Sequence, residues 1–197
     1  IAFDGKHIEF AKIYGDFKNV KWEMDTVTAS IRLSTRERSG FEVKHLIADA
    51  KFTPHEMTFD NLDIQTNDSH LRNYFSMRYD DFDDMNDFVE KVTMEGHFEN
   101  TEINSDDIAY FAPDLKTWKK RILLRGNIKG PVSSLIGKNL DIRAGNNTHF
   151  SGDANITGLP EINSTYLDIK ANEFKTVYAD AIAFIPPLKK IDNPDLS

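Results

Sequence analysis

Arg121-Ile122-Leu123-Leu124-Arg125-Gly126-Asn127-Ile128-Lys129 decides the fold class. Ile122, Leu124 and Ile128 occupy every second position, against Arg121, Leu123, Arg125, Asn127 and Lys129. Alternation with period 2 sends successive side chains to opposite faces of a strand, leaving one apolar and one wet face. Leu123 is the single apolar residue on the wet side. Working outward, Val92, Met94 and Phe98 alternate with charged and polar neighbours, as do Phe150, Ala154 and Ile156, and then Leu167, Ile169 and Ala171. Half-wet strands of this kind belong to antiparallel sheet solvated on one side.

A weak repeat links three of these strands. Val92-x-Met94-x-Gly96-x-Phe98 recurs as Ile122-x-Leu124-x-Gly126-x-Ile128, and more loosely as Thr148-x-Phe150-x-Gly152-x-Ala154. Each copy sets glycine on the apolar face between larger residues, where it marks a bend, a bulge or a close approach. Such a series suits a sheet that curls around a trough; ordinary bulge glycines are the plainer alternative.

Toward the N-terminus the strands continue while the period slips. Val20, Trp22 and Met24 share a face, followed by Val27, Ala29, Ile31 and Leu33. The shift from Phe41 and Val43 to Leu46, Ala48, Ala50 and Phe52 predicts a bulge near Lys44-His45, and Met57 and Phe59 shift to Leu62 and Ile64 across Asn61. Turn residues separate the runs at Arg38-Ser39-Gly40, Thr53-Pro54-His55, Asn67-Asp68-Ser69, Gly145-Asn146-Asn147 and Gly158-Leu159-Pro160. Strands at a spacing of roughly 10–13 residues with such turns predict a meander. Helix is scarce: Asp81 to Lys91 has an apolar stripe of Met85, Phe88 and Val89, and Ser105 to Phe111 reads as a helix with Ser105 as its N-cap, acidic Asp106 and Asp107 in its first turn, and Pro113 as its stop. Pro131 to Ile136 reads as a further turn. The expectation is an all-β chain: a curled, meandering antiparallel sheet with two or three short helices. No linker divides residues 1–197, in which a weaker repeat (1–79), an acidic helical insert (80–90) and clearer repeats (91–180) follow one another.

Composition excludes several functions. A net charge of −8 argues against nucleic acid as partner, since the basic run from Lys116 to Arg125 leads straight into a strand. With no cysteine there is neither disulfide nor thiolate chemistry. The longest apolar runs, such as Ala181 to Ile185, fall far short of the ~20 residues of a membrane-spanning helix. The chain opens in strand-like sequence without a signal peptide, as an excised central fragment would. The sequons at Asn67, Asn146, Asn155 and Asn163 are expected by chance in so Asn- and Thr-rich a chain.

Candidate chemistry is sparse. Asp80, Asp81, Asp83, Asp84 and Asp87 lack the glycine and terminal glutamate of a calcium loop and read as a solvated helix start. His7, His45, His55, His70, His97 and His149 are scattered singly, without metal-ligand spacing. No nucleophile elbow or phosphate-binding glycine loop occurs, and Trp22 and Trp118 lie far apart for a glycan cleft. Neither a catalytic site, a metal nor a cofactor is expected. What remains is the apolar face: Met94, Phe98, Ile122, Leu124, Ile128, Phe150, Ile156, Leu167 and Ile169. That face is either the core of a sandwich or the lining of an open groove.

The run Gly126 to Val132, then Leu140 to Gly145, Thr148 to Ile156, Gly158-Leu159-Pro160 and Thr165 to Ile169 resembles the AsmA-like proteins of bacterial envelopes, most closely the TamB (translocation and assembly module) type of Bacteroidetes. Phe59 to Ser69 and Ile108-Ala109-Tyr110-Phe111-Ala112-Pro113 fit the same pattern, so the likeness spans roughly residues 40–180. The resemblance implies a periplasmic parent anchored in the inner membrane, with a U-shaped apolar trough for phospholipid acyl chains. It also implies a role in outer-membrane biogenesis and contact with a BamA/TamA-type outer-membrane barrel. It brings no catalytic residues. The rival expectation is an interaction module that pairs its sheet edges with a partner chain.

Overall fold

The computed structural model describes residues 9–110, 119–145, 147–161, 164–178 and 180. The expected run Ala181 to Ile185, the Phe111-Ala112-Pro113 stop, Lys116, Trp118, His7 and the sequons at Asn146 and Asn163 lie outside the described residues.

Strands β1 (Phe10–Glu23), β2 (Thr26–Glu37), β3 (Glu42–Phe52), β4 (Glu56–Gln65) and β5 (His70–Arg78) are followed by β6 (Thr93–Asn104), β7 (Arg121–Gly130), β8 (Ser134–Ala144), β9 (Thr148–Thr157) and β10 (Tyr166–Lys175). All belong to one antiparallel sheet in chain order, with β1 and β10 as its edges. The expected all-β meander is therefore observed. Extensive contact between strands runs only between sequence neighbours. Among the described residues no second sheet lies across the apolar face.

Bulges shape this sheet. From β4 onward the extra residue falls on every second strand: at Asn61 in β4, Asn100 in β6, Asn139 in β8 and Asn172 in β10. Asn61, Asn100 and Asn139 take left-handed backbone (φ 51°, 50° and 52°), and thirty-nine residues separate each from the next. Asparagine tolerates this region better than other residues with a Cβ. On the intervening strands, at the same level, stand Asn73 (φ 98°), Gly126 (φ 133°) and Gly152 (φ 148°). Bulges bend the strand that carries them and increase its twist, so a line of them across the sheet is a crease along which it curls. The bulges expected at Lys44-His45 and Asn61 both occur.

Each bulge resets the alternation so that apolar residues stay on one face. In β4, Met57 and Phe59 before Asn61 share the inner side with Leu62 and Ile64 after it. Two apolar clusters result. One joins Ala29, Ile31, Ala48, Ala50 and Leu62; the other joins Phe98, Leu124, Leu140, Phe150 and Ala154. Phe75 of β5 packs against both. Burial of each large apolar side chain stabilises by about 1.5–3 kcal/mol.

Short helices sit at opposite rims. The stretch expected as one helix is a 3₁₀ turn (Phe82–Asp87) followed by α1 (Phe88–Lys91). The acidic cluster is its cap: Asp81 accepts from the Asp83 amide at 2.9 Å. Asp84 accepts from the Asp80 amide at 2.9 Å and from Lys91 at 3.0 Å. Those bonds hold the Asp84 carboxyl below its usual value, the Lys91 bond most of all. Helix α2 covers only Ser105–Ile108, and its cap is Asn104, whose side chain accepts from the Asp106 amide, not the expected Ser105. The Ser105 hydroxyl instead accepts from the Lys120 amide at 2.8 Å. The turn expected over Pro131 to Ile136 is shorter, because β8 already begins at Ser134. Among the described residues no helix is long and apolar enough to cross a membrane.

Candidate functional site

The inner face is assembled by register. One row of facing residues crosses the sheet as Phe59, Phe75, Gly96, Ile128, Gly137, Ala154 and Ile169, from β4 to β10. Large and small residues alternate along its middle, so the small positions leave room for their neighbours' side chains. A second row runs Met57, Met77, Met94 and Gly130. Methionine is unbranched and soft, and adapts to irregular apolar partners. Nearer the other rim, Ile103 faces Ile122, which faces Ala144.

All the residues expected on the apolar face stand on that face, but in different surroundings. Phe98, Leu124 and Phe150 are buried within the β6–β9 cluster. Met94, Ile122, Ile128 and Ile156 are half-buried. Leu167 and Ile169 of β10 are each 48% exposed, and Phe174 farther along the strand is 62% exposed. The lining is thus closed by its own side chains in the middle and opens at the β10 edge. At the opposite edge every residue of β1 is exposed, including Phe17 and Trp22.

The repeated glycines have two separate jobs. A Cβ on Gly96 would meet the Phe98 ring at 2.5 Å, so Gly96 is the seat for that ring. Gly137 plays the same part for Leu140. Gly126 and Gly152 are required by the backbone instead, since both hold positive φ opposite a bulge. A Cβ on Gly126 would lie 2.8 Å from the Asn139 carbonyl oxygen.

The outer face is wet and laced with ion pairs. Glu95 pairs with Lys129 at 2.9 Å and Asp153 with Lys138 at 2.9 Å. Glu95 and Asp153 are held below the usual carboxylate range chiefly by those lysines. Exposed pairs of this kind contribute at most about 1 kcal/mol each. Leu123 is 45% exposed on this side, as its place in the alternation predicts.

One arrangement here was not legible in the spacing of the histidines. His45 of β3, Asp63 of β4 and His70 of β5 converge on the outer face. Both imidazole Nε2 atoms lie against the same carboxylate oxygen, Asp63 Oδ1, at 2.7 Å and 2.8 Å. Partial burial pushes the Asp63 carboxyl up, but the histidine hydrogen bonds outweigh it and leave it below its usual value. Arg72 completes the group, donating from Nη2 to His70 Nδ1 at 2.9 Å. The signal was three-dimensional: Gln65 faces both His45 and His70 across the ladder, so a meander alone brings them together.

No family model, no curated protein and no solved structure matches this chain.

Proposed function

We propose that the chain is a non-enzymatic segment of an AsmA- or TamB-like envelope protein, and that its inner face shelters phospholipid acyl chains on their way to the outer membrane. The observation that carries this reading is a single-layer sheet with a continuous apolar face and no second sheet over it among the described residues. An acyl chain gains about 0.8 kcal/mol per buried methylene, so a trough of Met, Phe, Ile and Leu holds one without specific polar contacts. On this reading the parent is anchored in the inner membrane, works in the periplasm and meets a BamA/TamA-type barrel. A transfer assay with fluorescent phospholipid tests it. The wild-type chain extracts lipid from donor vesicles, and the half-buried Ile128→Asp variant, folded by circular dichroism, does not.

A second reading is favoured by the edges. Among the described residues β1 and β10 have no strand partner on their outer sides, and both are exposed along their whole length, as a strand-pairing module requires. Cross-linking from β1 or β10 to an outer-membrane barrel protein in native envelopes, without lipid extraction, would favour that role.

A further inference from the structure

We propose that His45, Asp63 and His70 form a binding site for a divalent transition metal of the zinc class, which clips β3, β4 and β5 together on the outer face. Two imidazoles and one carboxylate suit zinc and its neighbours, with solvent completing the shell. The three potential ligand atoms already lie within 4.8 Å of one another. The two rings stand nearly perpendicular (89°) with centroids 6.1 Å apart, so they do not stack but direct their Nε2 atoms to one point. Metal–ligand bonds of about 2.0–2.2 Å in tetrahedral geometry place ligand atoms roughly 3.3 Å apart. The nitrogens therefore need to withdraw from Asp63 Oδ1 by about 0.5 Å and to settle at the same spacing from each other, starting from a separation of no more than 4.8 Å, which side-chain rotation supplies. The ladder supplies the rest, because adjacent strands fix all three Cα positions. Side-chain exposures of 37%, 39% and 27% for His45, Asp63 and His70 leave an approach open from solvent.

Arg72 is the competitor for this site. Its Nε lies 3.6 Å from Asp63 Oδ2, and its donation to His70 Nδ1 requires that nitrogen to be the acceptor, with the proton on Nε2. Coordination through Nε2 moves that proton to Nδ1, where two donors would then face each other. Metal binding must therefore push the Arg72 guanidinium aside, and it also returns in cationic form the charge that Arg72 gave Asp63. Removing Arg72 should tighten the site instead of weakening it, which a purely structural hydrogen-bond network would not do.

Cobalt(II) and zinc(II) are the probes. Titrating the chain with cobalt should give visible d–d bands that zinc displaces, with one equivalent bound by calorimetry. His45→Ala and His70→Ala, each folded by circular dichroism in chelator, should weaken binding by more than about tenfold. Arg72→Gln should strengthen it. His149→Ala, which removes the separate histidine beside Asp141 on the same face, should change nothing. If cobalt gives no bands, if the His45 and His70 variants bind as the parent does, or if Arg72→Gln weakens binding, the proposal is wrong. Zinc affinity is read without reference to lipid, so its failure leaves the trough untouched and the trough's failure leaves it standing.

Discussion

Phe98 lays its ring over Gly96, two residues earlier on the same strand and face, at a distance no Cβ could share. The glycine that recurs in sequence is here a seat for a neighbour. Gly126, its counterpart in the next copy, answers to a different constraint, a φ of +133° against the backbone of β8.

Alanine substitution separates these roles. At Gly126 the new methyl meets backbone atoms, 2.8 Å from Asn139 O and 2.9 Å from Leu140 Cα, in a conformation L residues rarely adopt. Gly126→Ala should cost about 2–3 kcal/mol. At Gly96 the obstacle is a ring that can turn, so Gly96→Ala should cost about 1 kcal/mol. Urea denaturation of the two variants reads the order, and equal costs would contradict it.

The crease residues make a second series. Asn100 holds φ 50° at its bulge. Asn100→Gly should leave stability within about 0.5 kcal/mol of the parent, while Asn100→Val should lose about 1–2 kcal/mol through the left-handed backbone. The same ordering should hold at Asn61 and Asn139, and thermal melts of the paired variants check it.

Phe75 touches both apolar clusters. Phe75→Ala should cost about 3 kcal/mol and broaden the unfolding transition as the two halves lose their shared side chain. A calorimetric trace that stays as sharp as the parent's would show that the halves are coupled by the backbone ladder alone.

Acid should destabilise the fold through its paired carboxylates. Asp84, Glu95 and Asp153 all have folded values below their ordinary 3.8, 4.5 and 3.8. A carboxyl depressed in the folded state stabilises above its unfolded value, and that contribution is lost as pH falls through the folded one. The contribution of these three carboxylates should therefore be constant above about pH 5 and decline below about 4.5, with Asp84→Asn giving a shallower acid limb. Melting temperature against pH measures it.

Much of this architecture was legible because alternation is a local signal. The strand at Arg121 to Lys129, its wet-face Leu123 and the bulges at Lys44-His45 and Asn61 all follow from counting parity. The asparagine repeat is also written in the sequence, Asn61-Leu62-Asp63-Ile64 recurring as Asn139-Leu140-Asp141-Ile142 and more loosely as Asn100-Thr101-Glu102-Ile103, but its copies lie two strands apart, beyond the reach of a strand-by-strand count of parity. The glycine repeat was visible, but sequence could not tell a side-chain seat at Gly96 from a backbone requirement at Gly126. Whether the apolar face was core or lining depended on a second layer, which is a property of the whole chain. The His45–Asp63–His70 cluster was invisible for the same reason, since its members meet only through strand pairing.

The central claim is that the inner face holds acyl chains, and Leu167 and Ile169 test it most directly because substitution there need not disturb the core. Native mass spectrometry of the parent chain, compared with the Leu167→Asp/Ile169→Asp variant of equal melting temperature, is the measurement. The account predicts phospholipid bound to the parent and lost from the variant. A parent that carries no phospholipid, or a variant that carries as much as the parent, would contradict it.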